Sequence, residues 1–430
     1  MSRVVVFDQP PVFKKTELSN GIRVVTEHHS NSRATAVGFF IDRGSRDEEA
    51  PLSGAAHFLE HLVFKGTKTR SAFQIALELE ALGGELNAFT SREHTCFHAT
   101  TLREHVETSV AVLSDIIQNA TLNLPDFILE REVVLQEIDT SADSFEEYVF
   151  DQYYEKAFPN QSLGRSILGT PESMAELQRE DLEKFYKDHY GGKNLIISVA
   201  GHVDHDAIVV QLEKALANSQ CANEGLYRPK PNVARFTDFL PRPSEQIHAV
   251  LGFESVGFKD PHRFDSYIAN AVLAGGMTSR LYQKVREESG LVYSIYSYLH
   301  SFTDSGLLLL YFATSEKNLG AAMDKVRQEL DEIKKRGISK PDLEMFKTQV
   351  KGQILMASDD IENRMNSLGV NEMVFGTYRP VESVIDEIDR ISTDSFQCYL
   401  DTYLLPENMS GLFLGQDSAV IADAMKDFKC

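Results

Sequence analysis

Apolar residues recur at two spacings along this chain, every second position and every third or fourth, and the alternation marks out strands and helices in turn. The β-branched and aromatic runs Arg23-Val-Val-Thr26 and Ala34-Thr-Ala-Val-Gly-Phe-Phe-Ile41 predict strands. Residues 53 to about 64 carry the spacing of an amphipathic helix, with Ser53 as a candidate N-cap and Gly66 as a stop. A second helix is predicted over 72–82, ended by Gly83-Gly84. Strands come next over 85–91 and 95–101, then helices over 106–118 and 126–137. Strands joined by short turns, with helices between them, favour antiparallel or mixed sheets covered by helices, which is the α+β class.

The pattern occurs twice. Asp181, Tyr186, Asp188 and Tyr190 match Asp394, Tyr399, Asp401 and Tyr403 at an offset of 213, and Asn194 and Gly201 match Asn408 and Gly415 at 214. Val37-Gly-Phe-Phe40 echoes Leu251-Gly-Phe-Glu254 at the same 214. An offset near half the chain implies a duplicated domain. The stretch 218–243 holds Pro229, Pro231, Pro241 and Pro243 with Gly225, and reads as the linker. Two homologous domains in tandem are therefore expected, 1–217 and 244–430, each a mostly antiparallel sheet packed against helices.

Composition narrows the function. The 430 residues are 42% hydrophobic and 25% charged, an ordinary globular balance that excludes disordered and fibrous classes. The net charge of −21 repels phosphate backbones, so nucleic acid is not an expected partner, while basic peptides are. Cys96, Cys221, Cys398 and Cys430 are too scattered for a disulfide framework or a metal knuckle, and are expected as reduced thiols. The start of the chain lacks the apolar core of a signal peptide, and no apolar run reaches the ~18 residues a membrane span needs. A cytoplasmic protein without a membrane partner is the expectation.

The chemistry concentrates in His57-Phe-Leu-Glu-His61. On a helix His57 and His61 stand one turn apart on one face, so two imidazole nitrogens can converge on one ion. Glu60 points to nearly the same side and can serve as a base. A catalytic zinc site uses three protein ligands, so a third must come from elsewhere. Glu130 and Glu137, seven apart on the helix predicted over 126–137, share a face and are both candidates. His94 and His98 form a second i,i+4 pair, but on a predicted strand, where such residues are far apart; they are read as structural.

His57-x-x-Glu60-His61, followed by Glu137 76 positions beyond His61, resembles the inverted zinc motif of the M16 metallopeptidases, the inverzincins. The length resembles the short, processing-peptidase-like bacterial branch of that family. The resemblance implies one Zn²⁺ per chain held by His57, His61 and Glu137. Glu60 is then the general base toward water, and Glu130 supports a ligating histidine. The second half lacks the motif but carries Arg286-Glu-Glu-Ser-Gly-Leu-Val-Tyr293. In the family such an Arg and Tyr reach from the metal-free domain, which implies that Tyr293 donates to the oxyanion while Arg286 holds substrate or supports the tyrosine. The stretch Glu85 to Ser91 resembles the family's substrate strand, making Asn87, Ala88 and Phe89 the expected peptide-binding residues.

The resemblance thus implies a zinc endopeptidase acting on unfolded peptides or presequence-like segments, working as a homodimer that encloses a chamber. The alternative is a non-catalytic structural relative, or a partner-dependent subunit of a heterodimeric processing peptidase.

Overall fold

The computed structural model describes residues 11–220, 227–416 and 419–426. Cys221, Cys430 and Gly225 of the expected linker lie outside them. The chain forms two compact units, the first from Met1–Asp139, Arg165–Arg228 and Met356–Arg379, the second from Thr140–Gly164, Pro229–Leu355 and Pro380–Cys430.

The first unit is built on a six-stranded mixed sheet of β1 (Val12–Glu17), β2 (Arg23–His28), β3 (Ala34–Ile41), β4 (Glu85–Thr90), β5 (Thr95–Leu102) and β6 (Leu195–Gly201). Their spatial order is β1-β2-β6-β3-β5-β4, with β2 and β6 parallel and every other pair antiparallel. The second unit's sheet holds β7 (Thr237–Pro241), β8 (Ile247–Ser255), β9 (Ser294–Ser301), β10 (Gly306–Thr314) and β11 (Ser410–Gly415), ordered β7-β11-β8-β10-β9. Here β7 and β11 are parallel, as β2 and β6 are in the first sheet, and the rest are antiparallel. Apart from β1 the two sheets have the same connectivity, so the sequence repeat is a repeat of topology. The α+β class and the tandem duplication hold.

Helices α1 (Ala55–Val63), α2 (Ala72–Glu80) and α3 (Val106–Asn119) cover one face of the first sheet. They bury a core of Val37, Phe39, Phe58, Leu59, Leu79 and Leu113, among others. The other face meets the helix Ile361–Phe375, whose Met365 and Leu368 pack on Val25, Phe40, Cys96 and Ile196. Two salt-bridged groups fasten that helix: buried Arg364 to buried Glu27, and Glu372 to Lys15 and Arg23. In the second unit the corresponding position belongs to α5 (Phe145–Ala157), which follows α4 (Leu124–Asp143). There Val149, Tyr153 and Tyr154 pack on Val250, Leu307 and Leu309.

Each sheet thus has one face covered by a helix from the other half of the chain. The continuous halves expected at 1–217 and 244–430 are replaced by discontinuous units. The physical reason is that a sheet apolar on both faces needs helices on both. Glycine makes the fit. A Cβ on Gly38 would lie 2.2 Å from Met365 Sδ, and one on Gly252 would lie 2.1 Å from the Tyr153 hydroxyl. These two glycines are the repeat-related residues of the Gly-Phe echo, and each lies beneath the helix its unit borrows.

Element boundaries differ from the expected ones by a few residues. Within the stretch read as linker, Thr237–Pro241 forms β7, an edge strand of the second sheet on which Pro241 removes no interior ladder bond. Among the described residues no helix is long and apolar enough to cross a membrane.

Candidate metal centre and active site

Helix α1 starts in an unusual way. Its N-cap is Gly54, at φ 92°, not Ser53, and neither side chain caps it. A Cβ at Gly54 would meet the Leu168 carbonyl at 2.7 Å, so glycine is required both by φ and by space. The free N–H groups are taken by Glu48, six residues upstream, which accepts from Gly54 N at 2.9 Å and Ala56 N at 2.8 Å. A buried acid at a helix N-terminus satisfies two orphan donors. Burial pushes the Glu48 carboxyl up to about 8, opposed by those two bonds.

On α1, Phe58, Leu59, Leu62 and Val63 face the core, which turns His57 and His61 the other way. Phe58 stacks on Phe127 of α4 with ring centroids 5.2 Å apart, fixing one helix against the other. Phe127, Glu130 and Val134 are the buried residues of α4, spaced three and four apart, and the next step along that stripe is Glu137. Three donors therefore meet. His57 Nε2 lies 3.6 Å and His61 Nε2 3.4 Å from Glu137 Oε2. One ligand atom from each of the three falls within 4.8 Å of the others, the single such group among the described residues.

These distances suit a small tetrahedral ion. With zinc–ligand bonds of about 2.0–2.1 Å, tetrahedral donors stand roughly 3.3–3.4 Å apart. Burial, reinforced by neighbouring His61, holds the His57 imidazole down at about 4, so at neutral pH it offers a lone pair. The other nitrogen of His61 is fixed: Nδ1 donates to Glu130 Oε2 at 3.2 Å. Glu130 is 2% exposed, and its second oxygen is 2.7 Å from Lys65 Nζ. That arrangement selects the His61 tautomer whose Nε2 is free to ligate.

Glu60 lies beside the three donors, close enough to feel the charges of His61 and Glu137. Burial raises its carboxyl above the usual range; Glu137 adds to this, while Thr90 and His61 oppose it. Thr90 Oγ1 donates to Glu60 Oε2 at 2.6 Å, leaving the other carboxylate oxygen without that constraint.

Asn87, Ala88 and Phe89 lie on β4, the edge of its sheet. The Asn87 side chain turns back and accepts from the Ala88 N–H at 2.9 Å. Arg286 and Tyr293 lie in the second unit. Arg286 is in a π-helical turn, Tyr282–Glu287, where its guanidinium contacts the Tyr282 hydroxyl and lies 4.7 Å from that ring's centroid. Tyr293 is 77% exposed, its N–H bonded to the Ala313 carbonyl.

Three contributors lie outside the residues singled out from the sequence: Thr90, Lys65 and Glu48. Thr90 had a readable signal, since the period of β4 puts it on the α1 face with Leu86 and Ala88. Lys65 and Glu48 had none, because their partners are set by tertiary packing.

Comparison with known proteins agrees with this geometry. Residues 23–171 match the family model described as insulinase, peptidase family M16, and residues 176–350 match the peptidase M16 inactive domain. An uncharacterized zinc protease of Mycobacterium leprae is 36% identical over 385 residues, covering 88% of this chain and 86% of the relative. One from Bacillus subtilis is 34% identical, covering 89% and 93%. Two solved structures share the fold. A protease from Helicobacter pylori has a TM-score of 0.87 at 20% identity, covering 95% of this chain and 100% of that one. A peptidase M16 inactive domain from Pseudomonas fluorescens scores 0.86 at 16%, covering 95% and 98%. With both family models matched in tandem and relatives above 30% identity over most of its length, this chain belongs to peptidase family M16.

Proposed function

We propose that the chain is a zinc-dependent endopeptidase that hydrolyses unfolded peptides or extended segments. The observation that carries the reading is the convergence of His57 Nε2, His61 Nε2 and Glu137 Oε2, with the Glu60 carboxylate beside them. His57, His61 and Glu137 would hold one Zn²⁺, which when bound supplies Lewis acidity toward water and an amide carbonyl.

The protein's own groups account for the rest. Glu60 accepts the proton of the attacking water and passes it to the departing amine as the C–N bond breaks. Thr90 holds one Glu60 oxygen, so the other is presented to the water in one orientation. Glu130, paired with Lys65, holds His61 in its ligating tautomer. The free edge of β4 offers backbone groups to an extended peptide, which favours shape over side-chain identity. The roles that the family resemblance carries to Tyr293 and Arg286 are part of the proposal, as is a homodimeric assembly.

The test is hydrolysis of a long unstructured peptide by the wild type and by Glu60→Gln, with zinc measured in both. Retention of zinc by Glu60→Gln with loss of cleavage by several orders of magnitude is the expected result. A zinc-loaded wild type that cuts no peptide would overturn the endopeptidase reading and favour a subunit that needs a partner.

A further inference from the structure

The two histidines of α1 are held in different ways. His61 is fixed through its own ring, whose Nδ1 donates to Glu130. His57 has no such support: its Nδ1 is buried without a hydrogen-bond partner among the described residues. Its placement therefore falls to the backbone of the helix. His57 is the third residue of α1, inside a first turn whose N-cap, Gly54, brings no side chain to close it. A helix end without a cap frays, because its first N–H groups have no partner within the helix.

Glu48 closes this turn from outside. One of its oxygens takes the N–H of Gly54 and the other that of Ala56, the residue next to His57. Glu48 is 4% exposed and is itself gripped from far along the chain. Arg165 donates from Nη2 to the Glu48 carbonyl, and its charge also acts on the Glu48 carboxyl. Arg228 holds the preceding residue, Asp47, by both carboxylate oxygens, Nε to Oδ1 at 2.8 Å and Nη2 to Oδ2 at 2.6 Å. Such a two-point pair fixes direction as well as distance. Beside Gly54, the Ser173 hydroxyl donates to the Ser53 carbonyl at 2.8 Å. Arg165 and Arg228 are the first and last residues of one segment of the first unit, to which Glu48 and α1 also belong.

We infer that Glu48 is a positioning residue for the metal centre, which sets His57 through the backbone as Glu130 sets His61 through its ring. By holding the Gly54 and Ala56 N–H groups it fixes where α1 begins, and so where the His57 imidazole stands relative to His61 and Glu137. Arg165 and Arg228 keep the 47–48 turn in place for that task. Without Glu48 the first turn of α1 is loose, and a binding ion has to order it. That ordering is subtracted from the affinity, and fixing even one residue's backbone is worth roughly five- to thirtyfold. His61, one turn further into the helix and tied to Glu130, is affected less. The inference rests on the proposed function in taking His57 as a zinc ligand.

The test separates placement of His57 from stability of the fold. On full-length protein, zinc affinity is measured by competition with a chelator, and the urea midpoint is measured without zinc. Glu48→Met keeps the length of the side chain and removes both acceptors, whereas Glu48→Gln keeps one. Zinc affinity is expected to fall by about tenfold or more in Glu48→Met, with Glu48→Gln between it and the wild type. Glu27→Gln is the control, since it breaks a buried ion pair of the same unit but touches nothing on α1. It should lower the urea midpoint and leave zinc affinity at the wild-type value, because a destabilised protein that is still folded binds as before. Wild-type affinity in both Glu48 variants, or an equal loss in Glu27→Gln, would overturn the inference. Should Glu48→Met fail to fold, Glu48→Gln decides alone. The readout needs no cleavage. A wild type that binds zinc, responds to Glu48 as expected and cuts no peptide would sink the endopeptidase reading and leave the positioning role standing.

Discussion

Around the three donors, single side chains do separable work, and each makes its own prediction. Thr90 touches only the Glu60 carboxylate oxygen among the site residues, so Thr90→Val should leave zinc content unchanged. Loss of a hydrogen bond to a charged group is worth about 1.5–3 kcal/mol, or roughly ten- to a hundredfold. That loss is expected in kcat with KM little altered, and Thr90→Ser should restore most of the rate. Glu130 touches His61, a proposed zinc ligand, and Lys65. Glu130→Gln is therefore expected to weaken zinc binding by about ten- to a hundredfold, read by competition with a chelator, before any effect on turnover at saturating zinc. The two variants fail in different assays, which separates orientation of the base from orientation of a ligand. Of this site, the helix spacing of His57, Glu60 and His61 was legible because it is local. The choice of Glu137 over Glu130 as third ligand was not, since both share one face of α4. The two differ in depth: Glu130 is buried against His61 Nδ1 and Lys65, and Glu137 is partly exposed, with Oε2 toward both Nε2 atoms.

At the scale of elements, strands and helices with their own periodicity were readable, whereas the sheet face each helix covers was not. Helix Ile361–Phe375 and α5 are only weakly amphipathic, and no local pattern says which sheet will receive them. What fixes the first is tertiary: Gly38 beneath Met365, and the buried pair of Glu27 with Arg364. Burial alone would raise the Glu27 carboxyl, but hydrogen bonds from His29 and Arg364, with Tyr378 behind them, hold it down at about 2. A depressed carboxylate stabilises the fold above its unfolded value near 4.5, and that contribution is lost as pH falls from there toward 2. Glu27→Gln should cost roughly 3–5 kcal/mol at neutral pH, because it strands a buried guanidinium. The gap in urea midpoint between the two proteins should close as pH is lowered through that window. A gap that stays constant down to pH 2 would mean that the ion pair does not fasten the helix. Gly38→Ala tests the other contact: a cost of about 1–3 kcal/mol from overpacking is expected, and it should be partly relieved when Met365 is also shortened to Ala.

The whole molecule is best understood as a duplication in which each copy completes the other's packing. The matching strand orders and the paired Gly38 and Gly252 mean that both sheets solve the same problem in the same way, each taking a helix from the opposite half. A fragment ending at residue 217 therefore carries two defects at once. Its sheet presents Val25, Phe40, Cys96 and Ile196 to water for want of Met365 and Leu368, and its α5 presents Val149, Tyr153 and Tyr154 for want of the second sheet. Burial of a large apolar side chain is worth about 1.5–3 kcal/mol, and a domain's whole margin is only about 5–15, so several such exposures should suffice to unfold it. The expected outcome is an aggregated or dye-binding species that takes up no stoichiometric zinc, although it contains His57, Glu60, His61 and Glu137. Deleting 140–164 and appending 356–379 through a flexible linker should remove both defects and restore a folded, zinc-binding unit. If the simple fragment to residue 217 instead bound one zinc and melted cooperatively, the exchanged helices would be ornaments on self-sufficient halves, and the duplication would have preceded any dependence of one copy on the other.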